Sequence, residues 1–322
     1  MENKFIVSAS PFLRDRSVTT RSLMIDVCLA LCPSIVAAGI IFGSRALILI
    51  LLAIISSVLF EYLFQILSKT KTTINDFSAV VTGILIGLNL PSSAPYWMPI
   101  FGSFIAIILV KQLFGGIGQN FMNPALVART IMFISWTALM SSRISPDIFN
   151  LLNGMGSDVD FVSVATPLAD IKNFSLFDMF IGNIPGMVGE TSKLAILIGG
   201  LYLIYKKVID WRIPVYMIAT VFLMYLIKTG TVYSVESGAE NALSQILGGG
   251  LLLGAFFMAT DYVTSPIHKL GRVIMGIGCG IIVFVIRAYG NYPEGTSFAI
   301  LFMNVATPLI DKYTLPRSFG EA

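Results

Sequence analysis

Apolar runs recur along this chain near residues 23–43, 46–67, 76–90, 98–114, 124–140, 194–208, 213–230, 243–260, 270–288 and 296–311, and they leave few folds open. A helix needs roughly 20 residues to cross the hydrocarbon of a bilayer, and a crossing segment must satisfy its own backbone hydrogen bonds. About ten such helices would use roughly 200 positions of the 322 in the chain. The expected fold is therefore an all-α polytopic membrane protein. Charge agrees with this: charged residues are 12% of the chain, against about 25% in a soluble domain. A soluble globule, a disordered chain and a disulfide scaffold are excluded. The net charge of +3 is too small to point to nucleic acid.

The third run is short, holds Gly83 and Gly87 and ends at Pro91, so it is not expected to cross as a simple helix. Lys4, Arg14, Arg16 and Arg21 precede a first run that lacks a small-residue cleavage site, which predicts a retained span rather than a cleaved signal. Cytoplasmic loops are enriched in Lys and Arg. With the N-terminus inside, Lys69 and Lys71, Lys111 and Arg129, Lys206, Lys207 and Arg212, Lys269 and Arg272, and Lys312 and Arg317 all fall on the cytoplasmic side. The opposite connections are poor in basic residues, and the long one over 141–192 carries Asp147, Asp158, Asp160, Asp170, Asp178 and Glu190. The predicted order is a cytoplasmic segment 1–22, a membrane repeat 23–140, an extracytoplasmic loop 141–193, a second repeat 194–311 and a cytoplasmic tail 312–322.

The two halves resemble each other. Thr82-Gly83 through Pro95 has the spacing of Leu253-Gly254 through Pro266, and Lys111-Gln-Leu-Phe-Gly115 is echoed by Arg287-Ala-Tyr-Gly290. Five spans per copy is an odd number, so the second copy enters the bilayer from the other side. Two inverted five-helix repeats are expected, with short or broken helices where they meet. Cys28, Cys32 and Cys279 form no CxxC, and His268 has no histidine partner. A metal site, a cluster or a bis-histidine haem built by this chain alone is not expected.

The loop Asp158-Val-Asp-Phe-Val-Ser-Val-Ala-Thr-Pro-Leu-Ala-Asp170 holds Thr166 before a proline, which favours extended backbone and an accessible hydroxyl. On its own this reads as a turn or capping threonine. Several longer motifs stand around it in order. They are Ser10-Pro11; Lys111-Gln-Leu-Phe-Gly-Gly-Ile-Gly-Gln-Asn120 with Asn123-Pro-Ala125; Ser163 with Ala165-Thr-Pro-Leu168; Leu253-Gly-Ala-Phe-Phe257 with Thr260-Asp261 and Val263-Thr264; and Arg287 with Gly290, Tyr292-Pro293 and Gly295. Together they resemble, across nearly the whole chain, the family of membrane subunits shared by the Rnf ferredoxin:NAD electron-transfer complexes and the sodium-pumping NADH:quinone reductases.

That resemblance implies FMN joined through its phosphate to a threonine by a flavin transferase, the motif falling on Asp160, Ser163, Ala165 and Thr166. Phe161 and Val164 stand where the idealised motif has glycine. A decoy is present, because Val305-Ala-Thr-Pro-Leu-Ile-Asp311 repeats Val164-Ala-Thr-Pro-Leu-Ala-Asp170 with one change. Thr307 lies at the cytoplasmic end of the last span and lacks the acidic residue corresponding to Asp160, so the modification is expected at Thr166 alone. The resemblance also implies a second, noncovalent riboflavin. Its expected place is near 115–123 or in the corresponding half-repeat, with Lys111, Gly115, Gly116, Asn120, Asn123 and Arg129 as candidates. For Lys111 and Arg129, positive-inside placement is an equally good account.

Ionisable groups inside spans usually face an interior or a wet path. Asp26 and Glu61 are accordingly candidates for an ion pathway, each with a structural pairing as the other reading. Arg287 is either an outer anchor or a counter-ion for reduced flavin. The resemblance implies electron relay in a multi-subunit ferredoxin:NAD oxidoreductase of the bacterial inner membrane, coupled to Na⁺ or H⁺ transport. Its partners would be a flavin-bearing subunit outside and NAD- and ferredoxin-interacting subunits in the cytoplasm. No dinucleotide fingerprint and no complete active site is expected on this chain. The alternative is a channel or small-solute transporter of inverted-repeat fold without a redox cofactor.

Overall fold

The computed structural model describes residues 19–144, 175–232, 241–290 and 294–314, and among these it is helical with no named strand. The first element, α1, spans Thr20–Leu67 and contains two helices. Thr19 and Ser22 form a reciprocal capping box that starts it. Gly43, at φ 73°, turns the chain back between the expected first and second spans, a backbone conformation that glycine adopts without steric cost.

The expectation for the third run is met. Helix α2 (Ser78–Leu88) has only 11 residues and stops at Asn89 in the interior. The chain then continues in extended form, pairing with residues 187–189 through Val188 N–H to Leu90 O (3.0 Å) and Gly189 N–H to Leu88 O (2.7 Å). Helix α3 (Trp97–Phe104) continues into wider π-type turns over Ile105–Gln112, and α4 (Pro124–Ser135) is followed by the short α5 (Thr137–Ser141). After the brief α6 (Leu176–Ile181) come α7 (Lys193–Tyr205) and α8 (Arg212–Thr229). The eighth expected run is broken. It forms α9 (Ala242–Leu247), a glycine break, and α10 (Leu251–Leu253) running on into π-type turns over Gly254–Met258. The chain ends in α11 (Lys269–Tyr289) and α12 (Thr296–Thr314).

Three described helices are long and apolar enough to cross a membrane: α1, α8 and α11. Leu29, Val36, Ile40, Leu51 and Ile55 of α1 are large apolar side chains left on the outside of the bundle, as expected where lipid rather than water is the solvent. Trp97 and Trp136 meet at one end of the bundle with ring centroids 5.0 Å apart, while Trp211 lies at the other end beside Arg212. Aromatic residues at both limits of an apolar body mark its two interfaces.

Small residues let helices approach closely, as is usual where lipid removes any hydrophobic drive between spans. A Cβ on Gly83 or Gly87 would lie 2.7 Å from backbone of α1. The tightest contact is at Gly199, where a Cβ would lie 1.9 Å from the Ala30 carbonyl oxygen. Gly199→Ala is expected to push α7 off α1 and destabilise the protein by about 1–3 kcal/mol, the usual cost of overpacking. Thermal unfolding of the purified variant checks this, and an unchanged midpoint contradicts the contact.

Candidate functional site

Several helices end inside the molecule rather than at its surface. Asn123 caps α4 through Oδ1, which accepts from Ala125 N–H (3.1 Å) and Leu126 N–H (3.2 Å). Its Nδ2 donates to the carbonyl of Met258, where the π-type turns finish (3.2 Å). Asn89, at the end of α2, donates from Nδ2 to Leu85 O (2.6 Å) and lies 3.8 Å from Met258 Sδ. Asn304 of α12 completes the node, its amide turned so that nitrogen donates to Ile300 O (3.2 Å) and Thr264 O (3.3 Å) and oxygen accepts from Asn123 N–H (3.1 Å). Three buried asparagines thus satisfy backbone groups that helix breaks would leave orphaned.

A cavity of about 300 Å³ opens from this node toward the basic end of the bundle. Its walls are mainly apolar, from Leu23, Val27, Val81, Leu85, Phe256 and Phe257, and Lys111, Asn120, Asn123, Thr260 and Asp261 add polar groups. Mostly apolar walls with a few placed polar atoms are the usual makeup of a small-molecule site, and the volume is at the lower end of the range for one. Burial pushes the Asp261 carboxyl up, against hydrogen bonds from Thr264, the Val263 and Tyr262 amides and Asn120 that pull it down. Asp261 was not among the site residues expected from sequence. Its signal was a carboxylate directly after an apolar run, within a quoted motif.

The expected second-flavin residues are only partly brought together. Lys111, Asn120 and Asn123 line the cavity, while Gly115 and Gly116, with φ of 113° and 92°, shape the adjoining loop without lining it. Lys111 is already committed: Nζ lies 2.8 Å from Glu61 Oε2 and 2.6 Å from Ser78 Oγ, and both side chains of the ion pair are nearly sealed from solvent. Glu61 Oε1 also accepts from Gln65 Nε2 and Thr73 Oγ1, each at 3.2 Å. Of its two readings, the structure therefore displays a structural pair. Asp26 is half-buried and paired with Tyr202 Oη (2.9 Å) and Lys206 (4.0 Å) rather than with nearby Arg21.

Arg129 is not where it was expected. Because α4 starts in the interior, Arg129 lies on the far side of the asparagine node from the glycine-rich loop and does not line the cavity. It donates to Asn89 Oδ1 (2.8 Å) and to Glu294. Arg287 donates to Gln245 O (2.6 Å) and Gly248 O (3.3 Å) at the C-terminus of α9. Among the described residues no group of three or more His, Cys, Asp or Glu is arranged to hold a metal ion.

Asp160, Ser163, Ala165 and Thr166 lie outside the described residues. The decoy does not. Thr307 is buried in α12, and its Oγ1 donates to Thr264 O (2.9 Å) or Met303 O (3.0 Å), leaving no exposed hydroxyl for a modifying enzyme.

The family model described as NQR2, RnfD, RnfE matches residues 6–320. The chain belongs to that family. It is 45% identical over 327 residues to the D component of the Na⁺-translocating ferredoxin:NAD⁺ oxidoreductase complex of Acetobacterium woodii, covering 99% of this chain and 96% of that one. It is 41% identical over 334 residues to the D component of the proton-translocating ferredoxin:NAD⁺ oxidoreductase complex of Clostridium ljungdahlii, covering 99% and 97%. A third relative, the D component of an ion-translocating oxidoreductase complex of Stutzerimonas stutzeri, is 39% identical over 327 residues, covering 93% and 92%. Membership of this family accounts for the order of motifs along the chain.

Proposed function

We propose that this chain is the membrane subunit that relays electrons in an Rnf-type ion-translocating ferredoxin:NAD oxidoreductase, through FMN held by a phosphoester on Thr166. The observation that carries the reading is near full-length identity of 41–45% to components of such complexes, together with the ordered motifs around Asp160, Ser163, Ala165 and Thr166. A flavin held in this way brings redox chemistry, and the protein supplies position and electrostatics. The sealed hydroxyl of Thr307 supports Thr166 as the acceptor.

In this reading the chain is arranged as about ten spans in two inverted repeats in the bacterial inner membrane, with both termini cytoplasmic. The interior end of α2 at Leu88 and the end of the π-type turns at Met258, which differ by one residue in the alignment of the two halves, support the repeats. The cavity at the basic end takes a second, noncovalent flavin. Phe256, Phe257, Val81 and Leu85 supply flat apolar surface, and Asn120, Asn123 and Asp261 supply groups for ring heteroatoms. Ferredoxin- and NAD-interacting subunits dock on the same side, and a flavin transferase acts on the opposite one. The alternative, a channel or small-solute transporter without a redox cofactor, has less support, since the relatives at 41–45% identity are named as components of oxidoreductase complexes.

Denaturing electrophoresis under ultraviolet light tests the reading. Protein co-expressed with a working flavin transferase is expected to give a fluorescent band that disappears in Thr166→Ala and persists in Thr307→Ala. A band that survives Thr166→Ala contradicts it.

A further inference from the structure

Beyond the asparagine node, on the side away from the cavity, lies a buried group of charges that the proposed relay does not use. Arg129 of α4 pairs with Glu294, which also lies 3.6 Å from Arg143. Glu190 reaches the same guanidinium less closely, with Oε2 3.8 Å from Arg129. Lys193 donates to the carbonyls of Glu190 and Gly249 (2.8 Å to the latter), and Arg287 to those of Gln245 and Gly248. Lys193 Nζ and the terminal nitrogens of Arg287 thus meet backbone carbonyls at and beside the glycine break between α9 and α10, as expected at helix C-termini, while Arg287 Nε has no hydrogen-bond partner among the described residues. What remains is two arginines facing two carboxylates.

The two carboxylates are not equivalent. Glu294 holds the close contact with Arg129 and the second contact with Arg143. Glu190 is 3% exposed, its Oε1 accepts from Met187 N–H (3.1 Å), and its Oε2 has no hydrogen-bond partner. Gly250 borders that oxygen so closely that a Cβ there would lie 2.9 Å from Oε2 and 3.5 Å from the Arg129 guanidinium. A buried carboxylate oxygen without a donor is costly unless it takes up a proton or is otherwise paired.

We propose that Glu190 and Glu294 form a proton-binding carboxyl pair, with Glu294 ionised between Arg129 and Arg143 and Glu190 Oε2 gaining and losing the proton. Uptake forms one O–H bond at Oε2 with a proton from water and neutralises one carboxylate, and release reverses it. The ligand is a proton and not Na⁺. One oxygen lone pair at Oε2 suffices for a proton, whereas a hard metal cation needs several oxygen ligands at once, and the other charged groups around the pair are the cations Arg129, Arg143, Lys193 and Arg287. The groups facing Glu190 agree with this division. Burial and the neighbouring Glu294 raise the Glu190 carboxyl well above its ordinary range, with Arg129 and Arg143 pulling the other way. Burial alone would raise Glu294, but Arg129, Arg143, the neighbouring Glu190 and Arg287 together hold it below its ordinary range.

Infrared titration of the full-length purified protein tests the site. In an Asp261→Asn background, which removes the other carboxyl that burial pushes up, a protonated-carboxyl C=O band is expected that fades as pH rises, is missing once Glu190→Gln is added, and is the same in NaCl and KCl. The sign of the stability effect follows from the raised Glu190 value. The stability contributed by the bound proton is full below the unfolded-state carboxylate range and is lost as pH rises through the folded-state value. Thermal midpoints of wild type should therefore fall with rising pH relative to those of Glu190→Gln. A wild-type protein with no titrating carboxyl band overturns the proposal, and this holds even if the variant does not fold. So does a band in the Asp261→Asn background that survives Glu190→Gln or is displaced by Na⁺. None of these readouts depends on flavin, so failure of the site and failure of the redox reading are distinguishable.

Discussion

Glu61→Ala is expected to cost the folded protein about 3–5 kcal/mol, the range for removing one partner of a buried ion pair. The size follows from what is left behind. Lys111 Nζ would keep Ser78 Oγ as a hydrogen-bond partner but lose its counter-ion in a place almost sealed from water. Gln65 and Thr73, which both donate to Glu61 Oε1, would lose an acceptor as well. The penalty arises from the uncompensated charge rather than from the attraction alone. The double variant Glu61→Gln with Lys111→Met should therefore recover most of the loss, since replacing both members of a buried pair is often close to neutral. Thermal unfolding of the three proteins in the same detergent checks the pattern. If the double variant is no more stable than Glu61→Ala, the ion pair is not the dominant interaction. If instead Glu61 is an ion carrier, Glu61→Ala should abolish transport while leaving stability near that of wild type.

Asn123→Ala is the second large effect. Loss of a side-chain N-cap costs about 0.5–2 kcal/mol, and the Met258 carbonyl left without its donor adds about 1–3 kcal/mol. Because Asn123 and the capped Ala125 both line the cavity, the variant is also expected to lose noncovalent flavin on purification. Asn123→Asp separates the two contributions. A carboxylate still accepts from Ala125 and Leu126 and suits a helix N-terminus, but it cannot donate to Met258 O. The aspartate variant should therefore regain the capping share of stability and still lose the flavin. Stability equal to wild type in Asn123→Ala would contradict the role given to this asparagine as the joint between α4 and the π-type turns.

Much of this was legible in the residues. The apolar runs located every long element within a few positions, because a segment in hydrocarbon must be both apolar and helical. Gly83, Gly87 and Pro91 announced that the third run would stop short, and α2 does stop at Asn89. What the apolar pattern did not convey was depth. Arg129 was assigned to a loop end because cations at span ends are common, yet α4 begins inside the molecule and carries Arg129 past the node to Glu294. The same blindness hid the Glu190 and Lys193 contacts, since residues more than fifty positions apart meet there only through the glycine break. Glu61 and Lys111 were each noticed alone. Their pairing spans fifty positions and needed the packing of α1 against the end of the π-type turns to become visible.

The most direct test of the central claim is the mass of the proteolytic peptide containing residues 158–170, taken from protein made with a functional flavin transferase. The account predicts a mass increased by FMN less one water, with fragmentation placing the addition on Thr166 and none on the peptide containing Thr307. An unmodified 158–170 peptide from protein in which flavin is nonetheless covalently retained elsewhere would contradict it.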